Sequence, residues 1–296
     1  MHLTVCIITF KRPKLLGRLL EGLKSLETGG QFSYSVVVVD NDREESAKPA
    51  VVLARSGTEL QFDYHVEPEK NLALARNRAL RAARGDFAAF IDDDEFPIQA
   101  WLLELYRAWC KFQPDGVLGP VEPHFEVEVP GWVRKIGLFH HPRYKTGYVL
   151  SWNETRTGNV LLKRSLVECE SNLFDPKFVT HGEDKDFFKR LIGKGHKFIW
   201  CDEAIAYETQ PVERLARKYQ LRRALLRGSI AYGHAQAKIP AVLTSLVAVG
   251  LYTVALPFLQ IFGHHYFMKY LIKDCDHIGR ILACLGYKVE KHMKSL

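Results

Sequence analysis

Four consecutive acids, Asp92, Asp93, Asp94 and Glu95, follow directly on the apolar run Phe87 to Ile91. Carboxylates this close repel one another, and a divalent cation relieves that repulsion most economically. With no His or Cys cluster nearby the donors are hard oxygens, which select Mg2+ or Mn2+ held with waters and with the oxygens of a bound diphosphate. A solvated acidic turn is the alternative reading of the same residues. A second acidic group, Glu183-Asp184-Lys185-Asp186, opens a helical stretch containing Phe187, Phe188 and Leu191. There Glu183 and Asp184 can face a cleft as a general base, or Asp184 can serve only as a helix cap. Asp186, two residues on, belongs to a different helix face and is the weaker candidate.

Asp40 closes the run Val36 to Val39, a place where nucleotide-binding α/β domains use an acid to hold a ribose or a base edge. A turn role within Asp40-Asn41-Asp42 fits equally well. In Asn71 to Asn77 (NLALARN), Arg76 and Asn77 lie on a helix leading towards the acidic strand. An arginine there forks onto phosphate or carboxylate oxygens, or is simply solvated.

The elements that must position these residues follow from periodicity. Leu3 to Thr9 is continuously apolar and β-branched, as a strand covered on both faces requires, and Leu15, Leu16, Leu19, Leu20, Leu23 and Leu26 recur at helical spacing after Pro13. Strands are expected at 36–39, 62–66, 87–91, 159–163 and 197–200, and helices at 71–84, 97–112 and from about Asp184. Alternating strands and helices imply βαβ units, a mostly parallel sheet, and ligands beyond the carboxyl ends of its strands. Residues 119–157 lose clear periodicity and read as a substrate loop region; His140, His141, Trp132 and Trp152 are expected on its acceptor side.

Composition sets outer limits. The chain has 296 residues, 47% hydrophobic and 25% charged, with a formal charge of +7, so it is globular and inclined to anionic partners. Six cysteines without a Cys-x-x-Cys pair argue against zinc and against a disulfide framework. The N-terminus has no secretory-signal pattern, which predicts a cytoplasmic catalytic part. No nucleic acid partner is expected, because the basic residues gather beside an apolar segment rather than among exposed aromatics.

Together these residues resemble the family 2 glycosyltransferases, which share the GT-A fold. Thr9-Phe10-Lys11-Arg12 after the opening strand is similar to the family's first nucleotide-binding loop, and Val36 to Asn41 to the strand whose acid holds the base or ribose. Arg76-Asn77 and Gly85-Asp86 precede the acidic strand as they do in the family, and Asp92 to Asp94 is similar to its metal-binding Asp-X-Asp. Gly158-Asn159 looks like the turn beside the acceptor, and Glu183-Asp184 like the acid pair whose Asp is the base. The resemblance implies Asp184 as catalytic base and Asp92, Asp94 and Glu208 as metal ligands, with Glu208 replacing a His that many members carry. It implies substrate contacts from Thr9, Phe10, Arg12, Asp40, Asn71, Arg76, Asn77, Asp93, Gly158, Asn159, Glu183 and Arg223. Gln220-Leu221-Arg222-Arg223 lacks the Trp of processive synthases, Ala224 standing in its place, which implies single transfer.

The implied reaction moves a sugar, with inversion and a divalent metal, from a nucleotide-diphosphate donor to a hydroxyl of a saccharide or lipid-linked acceptor in cell-surface glycan synthesis. A sugar nucleotidyltransferase is the rival enzyme, although Thr9 to Pro13 has no glycine for a triphosphate loop. A noncatalytic nucleotide-sugar-binding membrane protein is the other alternative.

Ala241 to Gly263 is uncharged, and as a helix it would reach about 34 Å, enough to cross a bilayer core. Seven Lys or Arg precede it between Arg214 and Lys238, and Lys269, Lys273, Arg280, Lys288, Lys291 and Lys294 follow. Basic flanks on both sides suit a re-entrant or interfacial helix at the cytoplasmic face of the cell membrane. The expected organisation is a catalytic GT-A domain over 1–235 and a basic, hydrophobic membrane-associating segment over 236–296.

Overall fold

Leu3, Val5, Cys6 and Ile7 are all fully buried in the first strand, β1 (His2–Thr9), as a continuous apolar run demands. The structure, a computed structural model, describes residues 1–168, 173–179, 182–233 and 237–287. Cys169, Lys288, Lys291 and Lys294 lie outside the described residues.

After β1 come α1 (Pro13–Leu23), β2 (Ser33–Asp40), α2 (Lys48–Ala54), β3 (Phe62–Val66), α3 (Leu72–Ala82) and β4 (Phe87–Ile91). α1 lays Leu16, Leu19, Leu20 and Leu23 on the sheet, and Pro13 sits in its first turn where no N–H partner is needed. Then follow β5 (Glu95–Pro97), α4 (Trp101–Phe112), β6 (Gly116–Leu118), β7 (Val121–His124), α5 (Gly131–Ile136), β8 (Asn159–Lys163), α6 (Ser165–Glu168), α7 (Glu183–Gly193), β9 (Phe198–Trp200) and β10 (Ala206–Thr209). The chain closes with α8 (Arg217–Gly233), α9 (Lys238–Phe262) and α10 (His264–Cys284).

Seven strands form one sheet in the order β3-β2-β1-β4-β8-β6-β9, parallel except that β8 opposes both its neighbours. That reversal places Asn159 opposite Ile91, so the start of β8 meets the carboxyl end of β4. A small second sheet, β5-β10-β7, pairs Glu95 directly with Glu208. The expected strands and helices are present. The 119–157 region shows no periodic signal because β7 and α5 are only four and six residues long, too short to show a period.

The chain divides into two compact units, 1–124 with 141–209, and 125–140 with 210–296. The division between compact units lies near 209/210, and α8 and α5 pack with the C-terminal helices. Packing explains this. Trp132 and Val133 of α5 share a core with Leu215, Ala224, Met268 and Ile272. Trp132 is thus a core residue of the second unit.

At the crossing of α8 and α10 the backbones touch. A Cβ on Gly228 would lie 1.8 Å from the carbonyl oxygen of Asp276, and one on Gly279 2.0 Å from that of Leu225. Exposed Gly→Ala changes inside helices normally stabilise by up to about 1 kcal/mol. Here the sign should reverse. Gly228→Ala is expected to destabilise the second unit by about 1–3 kcal/mol through overpacking, read as faster limited proteolysis of 210–287; protection equal to wild type would show that the helices are not in backbone contact.

Candidate active site

The carboxyl ends of β1 and β4 open on a cavity of 620 Å³. Its lining includes Thr9, Phe10, Arg12, Arg76, Asp92, Asp93, Asp94, Glu95, Gly158, Asp184 and Glu208, together with Asn41, Lys70 and Arg156. Strand order accounts for the convergence: β2, β1 and β4 are neighbours, and the turn before β8 folds over the end of β4.

The acids are held by two kinds of partner. Arg12 reaches Asp93 and Asp94 at 2.9 Å each, and Thr9 donates to Asp93 at 2.8 Å. Arg76 lies 3.8 Å from Asp92. Gly158 permits a close approach, since a Cβ there would meet Glu95 at 2.7 Å and Asp92 at 3.1 Å. Burial pushes the Asp92 carboxyl up to about 6, Arg76 opposing and Asp94, Asp93 and Glu208 adding to the rise. Half of the Asp92 side-chain surface is nevertheless open to the cavity. Burial also raises Glu95 well above the usual carboxylate range, with Asp92 and Asp94 contributing, and raises Asp93 against the pull of Arg12.

Among the described residues four basic and six acidic side chains line the cavity, leaving an acidic excess. Among the described residues no three His, Cys, Asp or Glu side chains converge into an ion cage. A hard dication held by one or two carboxylates and by diphosphate oxygens needs no cage, and Asp92, Asp94 and Glu208 on one cavity fit that donor set.

Asp184 stands in the first turn of α7, whose N-cap is Gly182, so the acid is not the helix cap. One of its oxygens accepts from the Lys185 backbone N–H at 2.7 Å. Its neighbour Glu183 is buried and ion-paired with Arg76, and Glu183 Oε2 has no hydrogen-bond partner among the described residues. Lys185 ties the same turn to the carbonyls of Asn153 and Thr155 at 2.9 and 2.7 Å. Asp186 pairs with Arg190 at 2.8 Å and is absent from the cavity lining.

Five other expected contacts are spent on the fold and do not line the cavity. Asp40 accepts from the N–H groups of Ala47 and Asp42 and from the Tyr64 hydroxyl, at 2.7, 3.1 and 2.9 Å. Asn71 caps α3, accepting from Ala73 and Leu74. Asn77 exchanges two bonds with the Phe174 backbone. Asn159 bridges Trp101, Pro120 and Ala204. Glu183 serves through Arg76. Arg223 is an exposed residue of α8 in the other unit, where Gln220-Leu221-Arg222-Arg223 is part of a helix packed on α10. Trp152 is exposed at 42%, with Lys189 5.3 Å from its ring.

Two cations were not foreseen. Arg156 lies two residues before Gly158, where burial lowers its pKa and Glu95, Glu208 and Asp92 pull it back. Lys70 stands 4.4 Å from the centroid of the Phe10 ring. Their only sequence signal is adjacency to the Gly158 and Asn71 motifs.

Residues 4–169 match the family described as Glycosyl transferase family 2. The succinoglycan biosynthesis protein ExoM of Rhizobium meliloti (strain 1021) is 32% identical over 234 residues, covering 77% of this chain and 73% of that one. The chain belongs to glycosyltransferase family 2. The hyaluronan synthase of Pasteurella multocida is 23% identical over 242 residues, which are 71% of this chain but only 24% of that larger protein. Among solved structures, the mannosyltransferase PcManGT from Pyrobaculum calidifontis, in complex with GDP-Man and Mn2+, superposes with a TM-score of 0.61 at 16% identity, covering 94% of this chain and 86% of that one. S. aureus TarS 1-349 in complex with UDP-GlcNAc gives 0.56 at 15% identity, covering 97% and 92%. At these identities the likeness establishes the fold, which is GT-A.

Proposed function

We propose that this family 2 glycosyltransferase moves a sugar from a nucleotide-diphosphate donor to a hydroxyl of a saccharide or lipid-linked acceptor, with inversion, in cell-surface polysaccharide synthesis. The observation that carries the reading is the convergence of Asp92, Asp94 and Glu208 with Asp184 on one cavity at the strand ends. The ExoM name and the nucleotide-sugar complexes of the two structural relatives support the same reading.

In this scheme Phe10 receives the nucleoside, while Arg12, Lys70 and Arg76 meet the diphosphate. Asp92, Asp94 and Glu208 would hold Mg2+ or Mn2+, which when bound offsets charge on the departing nucleoside diphosphate. Asp184 removes the acceptor proton as the oxygen attacks the anomeric carbon from the face opposite the leaving group. The acidic excess of the cavity makes the dependence on a cation expected, because an anionic donor otherwise enters a site of its own sign. A screen of nucleotide sugars for release of nucleoside diphosphate tests the proposal: release should stop in excess chelator and return with Mn2+ or Mg2+. Release unaffected by chelator would remove the metal from it, and no release with any donor and acceptor would remove the transfer reaction.

A pH dependence follows. Asp92 binds a cation as the carboxylate, and its pKa of about 6 makes protons competitive below that value. Mn2+ affinity is therefore expected to be full above about pH 7 and to fall up to about tenfold per pH unit below 6. Titration calorimetry at several pH values checks this, a flat profile between pH 5 and 7 counting against Asp92 as a ligand.

We further infer that the second unit rests on the cytoplasmic face of the cell membrane with α9 lying in the interface. α9 is the one helix among the described residues long and apolar enough to cross. Its exposed Leu243, Leu246, Val247, Leu251, Val254, Phe258 and Ile261 recur at helical spacing. Its other side pairs lengthwise with α10: Ser245 meets His277 and Arg280, Tyr252 meets Tyr270, and Thr253 meets Asp274. A crossing would draw Lys273, Asp274 and Asp276 towards the bilayer centre, at about 2.5–3.5 kcal/mol per charge. An in-plane helix buries only the apolar stripe. Protease applied outside intact cells should then reach neither flank of α9; cleavage of the C-terminal flank would establish a crossing.

A further inference from the structure

We propose that α8, α9 and α10 form a binding site for the phosphate group of an anionic membrane lipid, distinct from the catalytic cavity and set beside the apolar stripe of α9. The proposal rests on the interfacial reading of that helix. The three helices enclose a cavity of 420 Å³ whose charged lining is Arg227, Lys273, Asp276 and Arg280. Asp276 is the one acid there, and Arg227 takes both its oxygens, at 2.8 and 2.5 Å. Lys273 and Arg280 are left in excess. Among the described residues Lys273 has no carboxylate partner, its Nζ resting 5.3 Å from the Tyr270 ring centroid. Arg280 spends one donor on Ser245, at 3.3 Å, and has no other hydrogen bond among the described residues. Ser245 gives its own proton to the Ala241 carbonyl at 2.8 Å, so it acts as an acceptor that holds the guanidinium at the cavity wall.

Two uncompensated cations in a concave site call for an anion, and a guanidinium beside an ammonium suits phosphate. The surroundings favour a lipid over a soluble phosphate. Tyr252 of α9 lines the cavity, while Leu251, Val254 and Phe258 of the same helix expose 67%, 69% and 60% of their surface. A lipid presents one phosphate directly above hydrocarbon, matching both features with one molecule.

The test uses the full-length protein, sedimented with phosphatidylcholine vesicles that either contain or lack about one quarter phosphatidylglycerol. Lys273→Gln with Arg280→Gln is compared with Arg217→Gln with Lys218→Gln, a pair of exposed α8 residues whose loss removes the same charge outside the cavity. A diffuse surface attraction contributes about the same per basic residue, so both pairs would then weaken binding equally. A built site predicts that the cavity pair loses at least tenfold more affinity for the phosphatidylglycerol vesicles than the control pair does. If Arg280→Gln disturbs the helix packing, Lys273→Gln alone, at an exposed position, should still lose more than Lys218→Gln alone. Equal losses would overturn the site while leaving the membrane reading intact. Wild type that binds neither vesicle would overturn the membrane reading, and the site with it. Inorganic phosphate that displaces the protein from phosphatidylglycerol vesicles only in wild type would support a phosphate site. Inorganic phosphate that binds at Lys273 and Arg280 without any vesicle preference would overturn the lipid as its occupant.

Discussion

Replacing Asp184 by Asn is expected to lower kcat by about 10²- to 10⁴-fold, the usual contribution of positioned proton removal, while leaving fold and donor affinity nearly unchanged. An acceptor hydroxyl is a weak nucleophile at neutral pH, and Asp184 is the carboxylate that α7 contributes to the cavity. Because Gly182 is the N-cap, the substitution does not remove a cap; it removes a favourable charge from the first turn, worth about 0.3–1 kcal/mol. Asp186→Asn is the control. Among the described residues it breaks the Asp186–Arg190 pair on the same helix, a contact worth about 0.3–0.5 kcal/mol, and should leave kcat within about threefold. Measuring kcat, the donor dissociation constant and the thermal midpoint for both variants separates the roles. Near-normal kcat in Asp184→Asn, or an equal loss in both variants, would return Asp184 to an ordinary surface acid of the first helical turn.

How the sequence exposed these residues depends on what each one does. β1, β2 and β4 are legible because each carries an unbroken apolar run, Val5 to Ile8, Val36 to Val39 and Phe87 to Ile91, as a strand covered on both faces needs. The acidic run was legible for the same reason: it ends such a strand abruptly with four charges in succession. Asparagine carries no such mark. Asn71, Asn77 and Asn159 sit in motifs that a resemblance to family 2 ties to substrate, yet each is buried and bonded to backbone groups, roles that shape the cavity without facing it. Asp40 is similar, with its oxygens directed to the turn that follows it. Arg156 was invisible for the opposite reason, being one arginine in an aperiodic loop whose meaning comes from distant carboxylates, Glu95, Glu208 and Asp92. The grouping of α8 with the C-terminal helices was hidden because its basic composition carries no sign of a packing partner, whereas Ala224, Arg227 and Gly228 all meet α10.

Arg76→Met is expected to destabilise the first unit by about 3–5 kcal/mol, more than any other single change considered for this unit. Arg76 and Glu183 have side chains only 7% and 4% exposed, and among the described residues Glu183 Oε2 already has no hydrogen-bond partner. Removing the guanidinium would leave a buried carboxylate with its charge unmatched, which costs far more than the net worth of the pair. The guanidinium also lies 5.6 Å from the Phe174 ring centroid, so packing is lost with the charge. For a unit of this size the thermal midpoint should fall by roughly 10 °C. Glu183→Met on the same background removes the orphaned acid and should recover much of that loss, since an apolar pair of similar volume often replaces a buried ion pair at little cost. The recovered protein should remain slow, however. Glu183 and Arg76 fasten the first turn of α7 to α3, and a Met–Met contact does not fix that turn, or the adjacent Asp184, to the same tolerance. Thermal unfolding of both single variants and the double variant, with kcat measured on the double, tests each step. Additive losses in stability would show that the two side chains do not act as a pair, and wild-type kcat in the stable double variant would show that the pair has no part in holding Asp184 at the cavity.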